Sequence, residues 1–251
     1  MSGRRRGREP GERQLRAAAD TGSPRLGLGG PEVARRRRTP VMLPSDASSP
    51  FDDPAYLFEP WWPGTRVLAI IEEGSVRLQA DELAGVLRAF PELELLPDQL
   101  AASDAIVEGT VLVLDAAARP DAKLLRRRLL EDGAARDGRA AFIATDLLRH
   151  AGHRLARRPF SARRARLESL VRPSDWCTVG RGYEGEGRAL AAAAADLGFI
   201  ALSAHRLDAP YVTGRAGDAW LRVPIAPGRA EADRLPPIVA VFRRLPLDGG
   251  S

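Results

Sequence analysis

Two apolar, strand-like runs joined by one glycine limit the possible folds of this sequence more than any other stretch. The runs are TRVLAIIEE, residues 65–73, and SVRLQA, residues 75–80, with Gly74 between them. This pattern is typical of a β-hairpin, because glycine accepts the positive φ of a tight turn. A hairpin makes neighbouring strands antiparallel, which excludes a sheet built only from parallel βαβ units.

The rest of the chain alternates irregularly between strand-like and helical patterns. Strands are predicted at DAIVEGTVLVLDA, AAFIATDLL, FIALSAH and AWLRVPIA. Helices are predicted after Asp81 and Ser161 as N-caps, another is predicted to start at Pro120 and Asp121, and an alanine-rich helix is predicted to end at Gly198. Hairpins mixed with helices predict the α+β class, with antiparallel sheets flanked by helices.

The first residues differ in composition from the rest. Met1–Pro40 contains eleven arginines and four acids, with few large apolar residues. Such a segment buries too little surface to offset its ordering entropy, so residues 1–49 are predicted to be a disordered basic arm. The arm is a solvated tail, a DNA-binding arm or an upstream extension absent from the cell, with Met42 as the true start. Residues 50–225 are then the predicted folded domain, and residues 226–251 a short C-terminal tail.

Apolar runs and cysteine usage bear on the compartment. No run approaches the roughly 20 apolar residues that a membrane span needs, and no apolar stretch follows the arginines as in an export signal. Cys177 is the one cysteine, which excludes an internal disulfide. These features predict a cytoplasmic protein without a membrane partner; they leave the oligomeric state open.

Charge is unevenly distributed after the arm. Residues 41–118 contain three arginines and fourteen acids, whereas residues 119–166 contain fourteen cations and five acids. In KLLRRRLL, the leucines are predicted to share one helical face and the arginines the other. The positive block indicates either binding to the phosphate backbone of DNA or an ordinary solvated surface. The candidate DNA-binding residues are Arg126, Arg127, Arg128, Arg157, Arg158, Arg163 and Arg164.

Six short blocks, in order, resemble the adenylation domain of ATP-dependent DNA ligases, especially the bacterial repair and end-joining type. The blocks are PFDDPAYLFEPWWPGTR, EGTVLVLDAAARPD, FIATDLL, RRARLESL, LSAHRLDAPYVTG and AWLRV. The resemblance extends from about Pro50 to Pro224 and implies a ligase-type nucleotidyltransferase domain. It also implies chemistry in which a lysine attacks the α-phosphate of ATP and AMP then passes to a DNA 5′-phosphate. The short stretch after Pro224 predicts no C-terminal oligonucleotide-binding barrel.

The resemblance fails at the positions that carry this chemistry. The first block of the family reads Glu-Pro-Lys-x-Asp-Gly-x-Arg; here Glu59 and Arg66 remain, but Trp61 replaces the lysine and Pro63 the aspartate. Tryptophan offers only an N–H donor and cannot attack phosphorus. The other altered positions are Thr110 and Ile200 for glutamates, Thr145 for the aromatic residue that stacks on adenine, His205 for a lysine, and Arg222 and Pro224 for a Lys-x-Lys pair.

Three hypotheses follow. The first is a catalytically inactive relative that binds DNA or a repair partner and uses no cofactor. The second is an active nucleotidyltransferase that uses ATP and magnesium with an unusual nucleophile such as His205. The third is a protein-binding or small-molecule-sensing module built on a pocket made apolar by Trp61, Ile200 and Pro63. No metal site is predicted, because the His150 and His153 pair lacks a third ligand.

Overall fold

The computed structural model describes residues 38–80, 86–131, 136–226, 235–238 and 240–241. In chain order the strands in these ranges are β1 (Met42–Leu43), β2 (Ser45–Asp46), β3 (Asp53–Pro60), β4 (Thr65–Glu72), β5 (Ser75–Gln79), β6 (Ala105–Leu114), β7 (Arg139–His150), β8 (His153–Arg154), β9 (Cys177–Val179), β10 (Tyr183–Gly185), β11 (Ala201–Arg206), β12 (Gly214–Arg215) and β13 (Trp220–Pro224). The helices are α1 (Val86–Ala89), α2 (Leu96–Gln99), α3 (Ala122–Leu130), α4 (Phe160–Leu170) and α5 (Gly187–Asp196), with a 3₁₀ helix at Pro91–Leu95. Within the described ranges, none of the helices has the length and apolar character needed to cross a membrane.

The predicted hairpin is confirmed and forms one edge of the larger sheet. Its turn residues, Glu73 and Gly74, have φ values of 52° and 76°, as a two-residue hairpin turn requires. The strand order is β5-β4-β6-β7-β8, and β9 pairs with β7. Every pairing in this sheet is antiparallel except that of β9 with β7.

A second, five-stranded sheet carries much of the remaining chain. Its order is β10-β3-β11-β13-β2, and all its neighbours are antiparallel except β13 and β2. The short strands β1 and β12 form a separate parallel pair. The predicted α+β class, with antiparallel sheets flanked by helices, is confirmed.

Strand β6 shows how the larger sheet is buried on both faces. Val111 and Val113 belong to an apolar cluster with residues of α1 to α4. The alternate residues Leu112 and Leu114 belong to a second cluster, which contains α5 and parts of the smaller sheet. This alternation follows from the two-residue period of a strand. Apolar surface buried on both sides holds the centre of the sheet rigid, and this centre carries the candidate site.

Both predicted domain boundaries need correction. Met42 is 2% exposed and its N–H donates to the hydroxyl of Tyr211 (3.0 Å). Strands β1 and β2 thus belong to the compact unit, which begins at Pro40 and not after residue 49. Leu235 and Ile238 are buried in the second apolar cluster, so this part of the predicted tail also packs into the fold. Residues 1–37 of the predicted arm lie outside the described residues.

Helix α3 starts where it was predicted to start, with Asp121 as its N-cap, but its faces differ from the prediction. The Asp121 carboxylate accepts hydrogen bonds from the N–H groups of Lys123 (2.8 Å) and Leu124 (2.9 Å). Arg128, however, is 2% exposed, and its guanidinium contacts the Glu92 carboxylate at 2.5 Å. Leu130 is 72% exposed. The three consecutive arginines therefore do not share one solvated face, because a distant acid holds the third one inside.

The cap predicted for α4 is wrong. The helix begins at Phe160 with Pro159 in the N-cap position, and no side chain caps it. The N–H groups of Phe160 and Ser161 donate instead to the carbonyls of Ala209 and Leu207, both at 2.9 Å. Long-range backbone hydrogen bonds thus satisfy the first turn. The predicted Asp81 cap lies outside the described residues.

Cys177 on β9 is buried and free, and its burial raises the pKa of the thiol to about 12. Because the thiolate is the reactive form, we expect a thiol-specific disulfide reagent at pH 8 to label the protein only after unfolding in urea. The thiol of the unfolded chain ionises near pH 8.5, whereas the folded thiol stays protonated up to about pH 12. Ionisation of Cys177 therefore favours the unfolded state, and its contribution lowers the free energy of unfolding as the pH rises between these two values. Rapid labelling of the folded protein at pH 8 would contradict this prediction.

Candidate functional site

A cavity of about 70 Å³ lies where the larger and smaller sheets meet, beside the loop between β3 and β4. Residues of both sheets form its wall: Glu59, Pro60, Trp61, Trp62, Gly64, Arg66, Glu108, Thr110, Thr145, Ser203, His205 and Trp220. Gly64 is needed for close packing, since a Cβ at this position would lie 2.4 Å from the Val111 carbonyl oxygen. The glycine therefore lets the β3–β4 loop approach β6.

Six of the ten predicted nucleotide-pocket positions line this cavity. They are Glu59, Trp61, Arg66, Thr110, Thr145 and His205. The other four do not: Pro63 and Pro224 are exposed, Ile200 is 53% exposed, and Arg222 is partly buried on β13. The prediction that Ile200 and Pro63 make the pocket apolar is therefore wrong. Aromatic side chains do so instead.

Four rings stack in a row, and three of them, Trp61, Trp220 and His205, line the cavity. The ring centroid of Trp61 lies 5.9 Å from that of Trp220, which lies 5.1 Å from His205, which lies 4.5 Å from Phe160. The successive interplanar angles are 20°, 13° and 13°. His205 and Trp220 are directly opposite each other on β11 and β13, so the sheet register places their rings together. We call these four residues the aromatic column.

Two arginines and one serine hold the column in place. The Arg66 guanidinium lies 4.6 Å from the ring centroid of Trp220, and that of Arg222 lies 5.7 Å from Trp61. Both distances suit cation–π attraction. The Trp220 indole N–H donates to the Ser203 hydroxyl at 2.7 Å. The position expected to carry a lysine thus carries an indole packed between a tryptophan and an arginine.

His205 is buried at 3% exposure, and its Nδ1 has no hydrogen-bond partner in the described structure. Burial lowers the pKa of the imidazole well below its usual value, and the nearby charges of Arg164, Arg163 and Arg66 lower it further. The ring is therefore neutral at physiological pH. An unpartnered buried nitrogen costs free energy, so the Nδ1 of this histidine lowers the stability of the fold.

The two carboxylates of the cavity wall are engaged by arginines. Glu59 accepts a hydrogen bond from Arg164 Nη2 at 2.8 Å, and Glu108 accepts one from Arg66 Nε at 2.7 Å. Glu108 also accepts from the Tyr211 hydroxyl at 2.6 Å. Burial, followed by the charge of Glu108, raises the pKa of this hydroxyl, so Tyr211 remains a donor. Each buried charge thus has a partner, as burial requires.

Three predicted DNA-binding arginines are buried and cannot contact DNA: Arg128, Arg163 and Arg164. Arg163 forms a bidentate pair with Asp146, at 2.8 Å from Nε to Oδ1 and 2.7 Å from Nη2 to Oδ2. Arg164 contacts Glu59 and the carbonyl of Gly180. The predicted assignment of these three arginines is therefore wrong, because internal carboxylates and carbonyls bind them.

The other four candidates, Arg126, Arg127, Arg157 and Arg158, are exposed. Arg127 already contacts Glu131 at 3.1 Å and Asp137 at 2.6 Å.

The sequence analysis assigned no role in the site to Phe160, Ser203 or Trp220. The sequence contained a signal for Trp220, since a tryptophan stands near the start of the last strong strand-like run. Phe160 and Ser203 gave none, because their partners are distant in sequence. His150 and His153 face each other across the β7–β8 turn. Among the described residues, no group of three or more His, Cys, Asp or Glu side chains is arranged to hold a metal ion.

Comparison with known proteins identifies the relatives of this chain. It is 30% identical over 167 residues to the multifunctional non-homologous end joining DNA repair protein LigD of Mycobacterium tuberculosis, a match covering 66% of this chain. It is 34% identical over 168 residues, 64% of its length, to a probable DNA ligase of Anaeromyxobacter. A mycobacterial DNA ligase D complexed with ATP and MES superposes with a TM-score of 0.61, at 25% identity over 74% of this chain and 60% of that one. This chain is homologous to the adenylation domain of ATP-dependent DNA ligases.

The homology to the ligase adenylation domain concerns only part of each curated relative. The match spans 21% of the length of LigD and 32% of the Anaeromyxobacter protein. The ligase domain of M. tuberculosis LigD superposes with a TM-score of 0.60 at 26% identity, over 73% of this chain and 58% of that chain. No family profile matches the sequence. The ligase-type fold and the relation to DNA repair ligases are thus shared, and the predicted resemblance is confirmed.

Proposed function

We propose that this protein is a non-catalytic relative of the ligase adenylation domain that binds duplex DNA in repair or end joining. One observation carries the first half of the proposal: Trp61, at the position of the attacking lysine, is stacked in the aromatic column. Nucleotide transfer to the protein requires a side chain with a lone pair that can bond to phosphorus. An indole has only an N–H donor, and a guanidinium stays protonated.

No other lysine can replace the missing one. Lys123 is the single lysine of the sequence, and it is exposed in the first turn of α3. His205 lines the cavity, but its imidazole is stacked on the rings of both Phe160 and Trp220, and its Nδ1 is buried. This supports an inactive site over an unusual histidine nucleophile.

The residues present do not fit magnesium-bound ATP. Thr110 and the exposed Ile200 stand where the resemblance implies carboxylates. Glu59 and Glu108 line the cavity, but Oε1 of Glu59 and both carboxylate oxygens of Glu108 already accept hydrogen bonds from arginine and tyrosine side chains. Magnesium prefers carboxylate oxygens, water and phosphate oxygens in an octahedral arrangement. We therefore infer that no resident cofactor is used.

Labelled ATP tests the catalytic half of the proposal. Incubated with magnesium and ATP labelled on the α-phosphate, the protein is expected to show no label on a denaturing gel. The ligase domain of M. tuberculosis LigD serves as the positive control. Label that survives denaturation would favour the active alternative, and its loss in a His205→Ala variant would identify histidine as the nucleophile.

The relatives' function in DNA repair and the exposed arginines support the binding half. Phosphate contacts by arginine release counterions, so affinity must fall as salt rises. Fluorescence anisotropy with a labelled nicked duplex is expected to show binding at low salt that weakens steadily with added salt. Absence of binding even at low salt would reject DNA as the partner.

The cavity favours a second candidate function, recognition of a small molecule. The wall of aromatic side chains, with the polar residues Ser203 and Thr145 also lining the cavity, would suit a small uncharged ligand with one polar group. A ligand that binds only the folded state raises the melting temperature. A thermal-shift screen of uncharged metabolites tests this candidate, and a Ser203→Ala variant provides a check that any shift comes from this cavity.

A further inference from the structure

Net positive charge is concentrated in one segment of the chain. Residues 149–172 contain eight arginines and one acid, whereas residues 115–137, which include α3, contain six cations and five acids. Five arginines of the first segment are exposed: Arg154 on β8, Arg157 and Arg158 before α4, Arg166 on α4, and Arg172 after α4. The first four lie on or between the β7–β8 hairpin and α4, and we call these four residues the hairpin–α4 surface.

Ion pairs account for three of the other arginines in this segment. These pairs are Arg149 with Glu72 and Asp104, Arg163 with Asp146, and Arg164 with Glu59 and Glu168. Each of these five acids thus already contacts an arginine. In the described part of the chain, the hairpin–α4 arginines have no carboxylate partner. Four positive charges remain uncompensated on this surface.

Short contacts hold the three segments of the surface together. His150 and His153 are paired in the β7–β8 register, and Arg166 Nη2 lies 3.4 Å from His150 Nδ1. The Arg158 carbonyl accepts a hydrogen bond from Arg163 Nη1 at 2.6 Å. Because Arg163 is itself locked to Asp146, the backbone before α4 is fixed to the protein core. The four charges are thus presented from a rigid support.

We propose that the hairpin–α4 surface binds the phosphate backbone of duplex DNA, an inference that rests on the DNA-binding function proposed above. Guanidinium groups bind phosphate in a bidentate manner, and backbone contacts need no base-specific side chains. The α3 arginines are the weaker candidates: Arg127 is paired with two acids and Arg128 is buried.

The test compares two variants of the full chain, each lacking four positive charges. The first carries Arg154→Gln, Arg157→Gln, Arg158→Gln and Arg166→Gln. The second carries Arg119→Gln, Lys123→Gln, Arg126→Gln and Arg127→Gln, which are all exposed positions at or near α3. Residues 1–40, with their eleven arginines, are present in both variants and contribute equally.

Binding of each variant to a labelled nicked duplex is measured across a salt series. Loss of four phosphate contacts reduces the slope of log affinity against log salt by about 3 to 4. We expect this reduction, with at least about tenfold weaker binding near 0.1 M salt, for the first variant only. The second variant is expected to stay within about threefold of the wild type.

Equal binding by the first variant and the wild type would overturn the hairpin–α4 assignment and leave the DNA-binding function standing. A larger loss in the second variant would move the interface to α3. A wild-type chain that binds no DNA would remove the proposed function as well. Melting temperatures check folding; if the first variant is unfolded, the triple change at 154, 157 and 158 replaces it.

Discussion

Replacement of Arg163 by alanine is expected to lower the free energy of unfolding by about 3–5 kcal/mol. Arg163 and Asp146 are each 1% exposed, and the pair is bidentate. Without the guanidinium, Asp146 would be left charged in the protein interior, the carbonyl of Arg158 would lose its arginine donor, and that of Ala209 would keep only the Phe160 N–H. Urea unfolding followed by circular dichroism measures the loss.

Arg166→Ala is the matched control, because it removes the same side chain from an exposed position of the same helix. Its expected effect is within about 0.5 kcal/mol. A double change of Asp146 and Arg163 to alanine should cost less than the sum of the single changes, since neither charge is then left alone. A loss below about 1 kcal/mol for Arg163→Ala would show that the buried pair does not stabilise the fold.

Replacement of Trp220 by alanine is expected to lower the free energy of unfolding by about 3–5 kcal/mol. Trp220 is 4% exposed and lies in the middle of the aromatic column. The change would open a cavity between Trp61 and His205 and leave the Ser203 hydroxyl without its indole donor. The same urea unfolding experiment applies.

Trp61→Ala provides the comparison for this prediction. Trp61 is only partly buried at the end of the column, so its loss should be clearly smaller than that of Trp220. Equal effects of the two changes would indicate that the column does not pack as one unit. A larger effect for Trp61 would contradict the order of the stacked rings.

Features fixed by neighbouring residues were predictable from the sequence. The turn at Glu73 and Gly74 and the Asp121 cap depend on groups within three residues of each other, so the sequence pattern contains the whole interaction. The apolar strand-like runs likewise predicted the larger sheet, because strands that are buried on both faces consist of nearly continuous apolar residues. The Ser161 cap failed because groups on a distant loop satisfy that helix end.

Features fixed by distant residues were not predictable in this way. Arg163 and Asp146 are 17 positions apart, and Arg164 and Glu59 are 105 apart. From sequence alone, such arginines cannot be distinguished from the exposed Arg157, since all occur in one basic block. A buried arginine is specified by where the fold places a carboxylate, and not by its neighbours in the chain.

The candidate site shows the same division. The motif resemblance predicted that Glu59, Arg66 and His205 belong to one site, and all three line the cavity. It misplaced Ile200, which lies just before β11 and is exposed. The stacking of Phe160 on His205 joins α4 to β11 and required the three-dimensional structure.

Intact-mass spectrometry tests most directly whether this chain has lost the chemistry of its relatives. The purified protein is measured before and after incubation with ATP and magnesium. The stacked indole at position 61 predicts the unmodified mass of the chain in both samples. A mass increased by one AMP, in either sample, would show that a side chain of this protein attacks the α-phosphate and would contradict the non-catalytic assignment.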